Sequence, residues 1–175
     1  SSIAQDAARA VNTRQGLLNL GVDQEKLERI SQSLGGVVDQ VTLASTLRDQ
    51  IISGTQPRLL EDAAKAAADL AAQYGFAKDE ALKLVASGEL NDATLQKIGL
   101  SAQDLENRIA QAQANFAGVG GELNEVQKRS IRVNAIIDQI RKNSNGFTRS
   151  TKQAGDEAAR ALAQFRNITN ELATR

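Results

Sequence analysis

Two pairs of adjacent carboxylates are the side chains best suited to acid–base chemistry or metal binding in this chain. Glu61 and Asp62 form one pair, and Asp79 and Glu80 form the other. Each pair falls in the first turn expected for a helix, where acidic side chains stabilise the positive end of the helix dipole. A di-metal centre of the helix-borne Glu-x-x-His kind requires histidine, and the chain contains none. The sequence therefore favours a structural role for both pairs.

The residue inventory excludes several other classes of site. Cys and His are both absent, which rules out zinc sites of the Cys/His type, cysteine nucleophiles and Ser-His-Asp triads. The glycine-rich stretch 118–121 follows no strand signal and contains no lysine, so it does not match a phosphate-binding loop. We therefore expect a protein that is not an enzyme and that uses no cofactor and no metal.

Arg58 follows a predicted loop, Gly-Thr-Gln-Pro at 54–57. An exposed loop arginine can act as a finger toward the phosphates of a nucleotide bound to a partner. Helical bacterial effectors that act on small GTPases use such an arginine, but their Gly-x-Leu-Arg pattern is not present here. The favoured interpretation of Arg58 is a surface residue in the first turn of a helix, and a GTPase-directed effector is one alternative function.

Basic side chains concentrate in the last third of the chain. Residues 1–120 hold 11 basic and 15 acidic residues, a net charge of −4, whereas residues 121–175 hold 10 and 6, a net charge of +4. The candidate partner-binding residues flank a turn signal at 143–146 and extend along the helix before it: Lys128, Arg129, Arg132, Arg141, Lys142, Arg149 and Lys152. Such a patch suits an acidic protein surface or an anionic membrane. The alternative is a solvated helix end, in which cations lie near a helix C-terminus.

Nucleic acid is the least favoured partner. The net charge of the chain is zero, and Phe147 is the one aromatic residue near the basic patch. The stretch 71–84 has the spacing of a helix-turn-helix, but its second helix opens with Ala-Lys-Asp-Glu, whose acids would repel phosphates. We interpret 71–84 as an ordinary corner between two helices.

The elements that must position these residues are predicted to be helices throughout. Apolar residues make up 41% of the 175 positions and aromatic residues 3%, so the core must consist of Ala, Leu, Ile and Val at helical spacing. Asp23 is placed to cap one helix, Pro57 to begin another, and Ser101 with Asp104 to form a capping box. The third helix is predicted to carry an apolar stripe that begins at Val37. The fold class expected is all-α, a multi-helix bundle of about six to eight helices.

The C-terminal part is predicted to be a long antiparallel hairpin that resembles a coiled coil. Apolar or small residues step by three and four in two stretches, 123–140 and 154–172, on either side of the turn signal. Ser130 is the polar position within the first stretch. We expect residues 1–117 to form a compact subdomain of short helices and 121–175 to form the hairpin, the two together making one structural unit.

These patterns predict a non-enzymatic helical module for protein–protein interaction. The composition, rich in Ala, Gln, Asn and Ser, is typical of a domain from a larger bacterial protein that is secreted or displayed outside the cytosol, such as an effector. The hairpin would then contact an acidic or helical surface of another protein. The second alternative is a membrane-active translocator or α-pore-forming component that rearranges at the glycines of 118–121. No stretch approaches 18 consecutive apolar residues.

Overall fold

The computed structural model describes residues 14–116 and 121–145, and these residues contain helices and no strand. The elements are α1, described over residues 14–19, α2 (Gln24–Ser33), α3 (Gln40–Ile52), a 3₁₀ turn (Pro57–Leu59), α4 (Leu60–Tyr74), α5 (Lys78–Ser87), α6 (Asp92–Ile98), α7 (Ala102–Phe116) and α8 (Glu125–Asn145). The all-α prediction is confirmed. The second arm of the predicted hairpin lies outside the described residues.

Polar side chains at the helix starts fix most of these boundaries. Asp23 and Asn91 each accept a hydrogen bond of 2.8 Å from the backbone N–H three residues later, which satisfies one of the free donors of the first turn. Ser101 and Asp104 form a complete capping box. The N–H of Asp104 donates to Ser101 Oγ at 3.1 Å, and the N–H of Ser101 donates to the Asp104 carboxylate at 2.9 Å.

The predicted start of the third helix was wrong. Helix α3 begins at Gln40, and Val37 lies in the connection before it with 71% of its surface exposed. The reason is the cap: the carboxylate of Asp39 accepts a hydrogen bond of 3.1 Å from the N–H of Thr42, so the first turn begins at Gln40, three residues after Val37. The apolar periodicity continues through Val37, but the helix does not.

Helix α4 lies at the centre of the bundle and packs against α2, α5 and α8. Four of its alanines have no exposed surface: Ala63, Ala64, Ala66 and Ala67. Alanine allows helix axes to approach closely because its side chain ends at Cβ. Leu60 and Leu70 on the same helix are also fully buried, and each is worth about 2 kcal/mol of hydrophobic stabilisation.

Helix α8 contributes to the same hydrophobic core as α4. It packs against α4, α5, α6 and α7, and its buried residues include Val133, Ile136 and Ile140. The buried face is broader than the predicted seam, because Ile136 has no exposed surface and lies beside the three-to-four pattern. Ser130 is buried and donates to the carbonyl of Val126 on its own helix at 3.1 Å.

Candidate interaction surfaces

The basic residues predicted to bind a partner reach different neighbours in the structure. Arg141 on α8 pairs with Asp69 on α4 at 3.4 Å, and Lys128 pairs with Glu125 on its own helix at 3.5 Å. Lys142 is exposed near the end of α8. Arg149 and Lys152 lie outside the described residues. Two residues of the predicted patch, Arg129 and Arg132, have more specific surroundings.

Arg129 joins three helices through its guanidinium group. Its Nε donates to Thr55 Oγ1 at 2.8 Å, and one terminal nitrogen donates to Gln50 Oε1 at 2.9 Å. The hydroxyl of Thr55, which is buried, donates in turn to the carbonyl of Ala86 at the end of α5. Partial burial lowers the pKa of Arg129 from its ordinary value, and Glu89 offsets part of this effect. Arg129 is therefore a structural link between α3, α5 and α8.

Arg132 lies in an open groove of about 370 Å³, which we call the Arg132 groove. Three leucines form its floor: Leu90, Leu95 and Leu105, with exposures of 7%, 2% and 5%. They come from the loop after α5, from α6 and from α7. Because a small part of each leucine's surface is exposed, an apolar side chain placed in the groove can contact the floor.

The rim of the Arg132 groove is acidic. Glu89, Asp92 and Glu106 line it and are exposed, so the four charged lining residues sum to −2 when Arg132 is counted. None of the ion pairs among the described residues involves Arg132, which is half-buried. Its Cβ lies close to Gly88, within 3.2 Å of the position that a Cβ on that glycine would occupy. A member of the predicted basic patch thus lies in a groove of opposite net charge.

A second groove, of about 410 Å³, opens at the other end of α5, and we call it the Val37 groove. Its apolar lining is Val37, Val38 and Phe76, of which Val37 is the most exposed large apolar residue in the described part of the chain. Val38 and Phe76 are half-buried and pack against the main core. The groove therefore presents an apolar patch, bordered by polar and charged side chains at the starts of α3 and α5, that the described fold leaves open to water.

Two helix starts border the Val37 groove. Helix α3 begins beside it with Asp39 as its cap, and α5 begins beside it with Ala77 at the N-cap position, where no side chain accepts a hydrogen bond. The ammonium group of Lys78 lies 2.6 Å from the position of a Cβ on Gly35, just after the C-terminus of α2. A cation there faces the negative end of the α2 dipole. The first-turn N–H groups of α5 are therefore among the polar groups at this edge that a partner can bind, together with Asp39, Lys78 and Asp79.

Arg58 lies in the 3₁₀ turn and is half-buried. Pro57 opens that turn, as the sequence predicts. The guanidinium Nε of Arg58 is buried. A GTPase-directed function of Arg58 stays a prediction from the sequence.

Within residues 14–116 and 121–145, no group of three or more acidic side chains is arranged to hold a metal ion. In the same described ranges, no helix has both the length and the apolar character needed to cross a membrane.

Neither groove is predicted by the sequence. The apolar spacing predicts that Val37 belongs to the stripe of the third helix, although the Gly-Gly pair before it and the Asp-x-x-Thr cap after it indicate a connection. The Arg132 groove combines residues from the α5–α6 loop, α6, α7 and α8, and no local pattern brings these together. Compared with protein-family models, with curated proteins and with solved structures, the chain matches none.

Proposed function

We propose that this chain is a helical module that binds another protein without carrying out chemistry of its own, and that the Val37 groove is its docking surface. The observation that carries the proposal is the 71% exposure of Val37 at the mouth of a groove that is lined by apolar side chains on one side and by polar side chains from the starts of α3 and α5 on the other. Scattered apolar residues are common on protein surfaces, but an exposed apolar residue that adjoins an open groove with further apolar side chains and a few polar groups is typical of an interaction site.

The chemistry of the groove defines what the partner must present. An apolar side chain of leucine or phenylalanine size would cover Val37 and contact Val38 and Phe76. Burying such a side chain is worth about 2 kcal/mol, which is sufficient for it to act as an anchor. A backbone carbonyl of the partner beside that anchor would accept hydrogen bonds from the first-turn N–H groups of α5.

The basic residues of α8 support this proposal less strongly than the groove does. Arg129 and Arg141 are engaged within the fold, with Thr55 and Asp69 respectively. Secretion or display outside the cytosol stays a prediction from composition, and so does the membership of a larger bacterial protein. The docking surface can be tested without either assumption.

The experiment uses peptides selected from a displayed random library for binding to the wild-type chain. Affinities of the selected peptides are then measured for wild type, for Val37→Asp and for Ile52→Asp. Ile52 is a matched control because it is 63% exposed and lines neither groove. We expect Val37→Asp to weaken binding about tenfold or more and Ile52→Asp to change it less than about twofold. Selected peptides that bind all three proteins equally would exclude the Val37 groove as the docking surface.

A further inference from the structure

We propose that the Arg132 groove is a second docking surface and that its partner is a basic segment with leucine-sized apolar side chains. This inference goes beyond the proposed function, which rests on the groove at the opposite end of α5. The two surfaces differ in lining residues, so either proposal can fail without the other.

The floor of the groove selects an apolar side chain. Leu90, Leu95 and Leu105 each expose a few per cent of their surface and come from three different elements. A volume of about 370 Å³ accommodates one or two aliphatic side chains. Because the floor is held by the core below it, the groove is formed before any partner arrives, which lowers the entropic cost of binding.

The rim selects positive charge on the partner. Glu89 follows α5, Asp92 opens α6 and Glu106 lies on α7, so the carboxylates stand at separate places around the opening. They do not converge into a metal-binding group within the described residues. Separated carboxylates fit successive Lys or Arg side chains of a segment better than they fit one compact ion.

Arg132 allows a test of whether the partner is basic or acidic. An acidic partner would be attracted by Arg132 and repelled by the three carboxylates, whereas a basic partner would experience the reverse. Replacing Arg132 by Gln removes the positive charge and keeps the Cβ that approaches Gly88. For a basic partner the substitution should therefore tighten binding, and for an acidic partner it should weaken binding.

The probes are three synthetic peptides of equal length. The first is an amphipathic peptide with leucines at helical spacing and lysines elsewhere; the second replaces each lysine by glutamate; the third replaces each leucine by glutamine. We expect the first to bind with a dissociation constant in the micromolar range, about 10 to 100 μM, and with weaker affinity as salt is raised. The other two should bind at least about tenfold more weakly.

Variants of the chain distinguish binding in the Arg132 groove from nonspecific attraction between the peptide and the charge of the whole chain. The double variant Glu89→Lys/Asp92→Lys should weaken binding of the basic peptide about tenfold or more. Arg132→Gln should strengthen binding of the same peptide about twofold to fivefold. The control Glu28→Lys/Asp49→Lys makes the same change in net charge at two exposed acids outside the groove and should have an effect of less than about threefold. Ala102→Trp should block binding because Ala102 is exposed and lines the groove.

Three results would overturn the proposal. The first is no binding of the basic peptide at concentrations up to about 1 mM. The second is an equal loss of affinity in the groove and control double variants. The third is weaker binding of the basic peptide by Arg132→Gln. Unchanged circular dichroism of each variant establishes that the comparison is between folded proteins.

Discussion

The Nε of Arg129 donates a hydrogen bond of 2.8 Å to the hydroxyl of Thr55, a residue 74 positions earlier in the chain. Thr55 is buried, and its hydroxyl donates a hydrogen bond to the carbonyl of Ala86. One arginine on α8 thus fixes the loop after α3 and the end of α5 at the same time. The sequence had placed Arg129 in a partner-binding patch, but its guanidinium donates within the fold.

Removing Arg129 should destabilise the whole bundle. Arg129→Ala leaves the acceptors on Gln50 and Thr55 without their donor, and hydrogen bonds to charged groups are worth about 1.5–3 kcal/mol. We expect a loss of about 2 kcal/mol in the free energy of unfolding, measured by urea denaturation. Lys128→Ala is the control, because Lys128 has only an exposed pair with Glu125, and its effect should stay below about 0.5 kcal/mol. Equal effects of the two substitutions would contradict this role of Arg129.

Gly88 should tolerate alanine less well than Gly75. The two glycines have similar positive φ angles of +70° and +76°, so the backbone strain of an alanine is about the same at both. A Cβ on Gly88 would lie 3.2 Å from Arg132 Cβ and from Val133 Cγ2, whereas nothing lies within 4 Å of a Cβ on Gly75. We expect Gly88→Ala to cost about 1–2 kcal/mol more than Gly75→Ala in chemical denaturation. A smaller cost at Gly88 would show that α8 does not approach α5 this closely.

The capping box of α7 should contribute measurably to stability. In Ser101→Ala the N–H of Asp104 loses its acceptor, while the acceptor for the N–H of residue 101 remains. Loss of an N-cap side chain costs about 1 kcal/mol. Thermal unfolding followed by circular dichroism measures the effect, and Ser101→Asp should restore most of it because aspartate is also a good cap. A Ser101→Ala protein as stable as wild type would contradict the capping assignment.

Lys26 should make the free energy of unfolding depend on pH in the alkaline range. Burial lowers the pKa of Lys26, Arg29 lowers it further, and the attraction of Glu61 and Asp23 offsets these effects only in part. Between the lowered folded pKa and the ordinary unfolded pKa, the unfolded state binds more protons, so the contribution of Lys26 to stability rises with pH. Lys26→Met removes the charge and keeps much of the side chain.

We therefore expect Lys26→Met to be more stable than wild type near neutral pH, with a difference that narrows as the pH is raised through the folded pKa of Lys26. Denaturation of both proteins over a series of alkaline pH values measures that difference. A difference that widens with pH would mean that the pKa of Lys26 is raised by folding.

The helices could be predicted from the sequence because their signals are local. Asp23 and Ser101 mark helix starts because their side chains accept a hydrogen bond from the backbone N–H three residues later. Gly75 marks the end of α4 because it adopts a left-handed backbone conformation there. Val37 shows where this reasoning fails. Apolar spacing alone predicts that the helix begins at Val37, whereas the Asp39 cap makes Gln40 its first residue.

The interaction surfaces could not be predicted, because they depend on which elements become neighbours. Glu89 and Glu106 are far apart along the chain, and both line the Arg132 groove because α5 and α7 each pack against α8. Arg129 and Arg132 look equivalent in sequence, three residues apart on one helix. One faces the buried Thr55 and the other faces an acidic groove, and only the packing of α8 distinguishes them.

An NMR titration of the backbone amides with a library-selected peptide shows directly whether the Val37 groove is the docking surface. We expect the largest chemical-shift changes to centre on Val37, Val38, Phe76 and the first turn of α5, and to vanish in Val37→Asp. Shift changes centred instead on Arg141 and Lys142 of α8, with none around Val37, would contradict it.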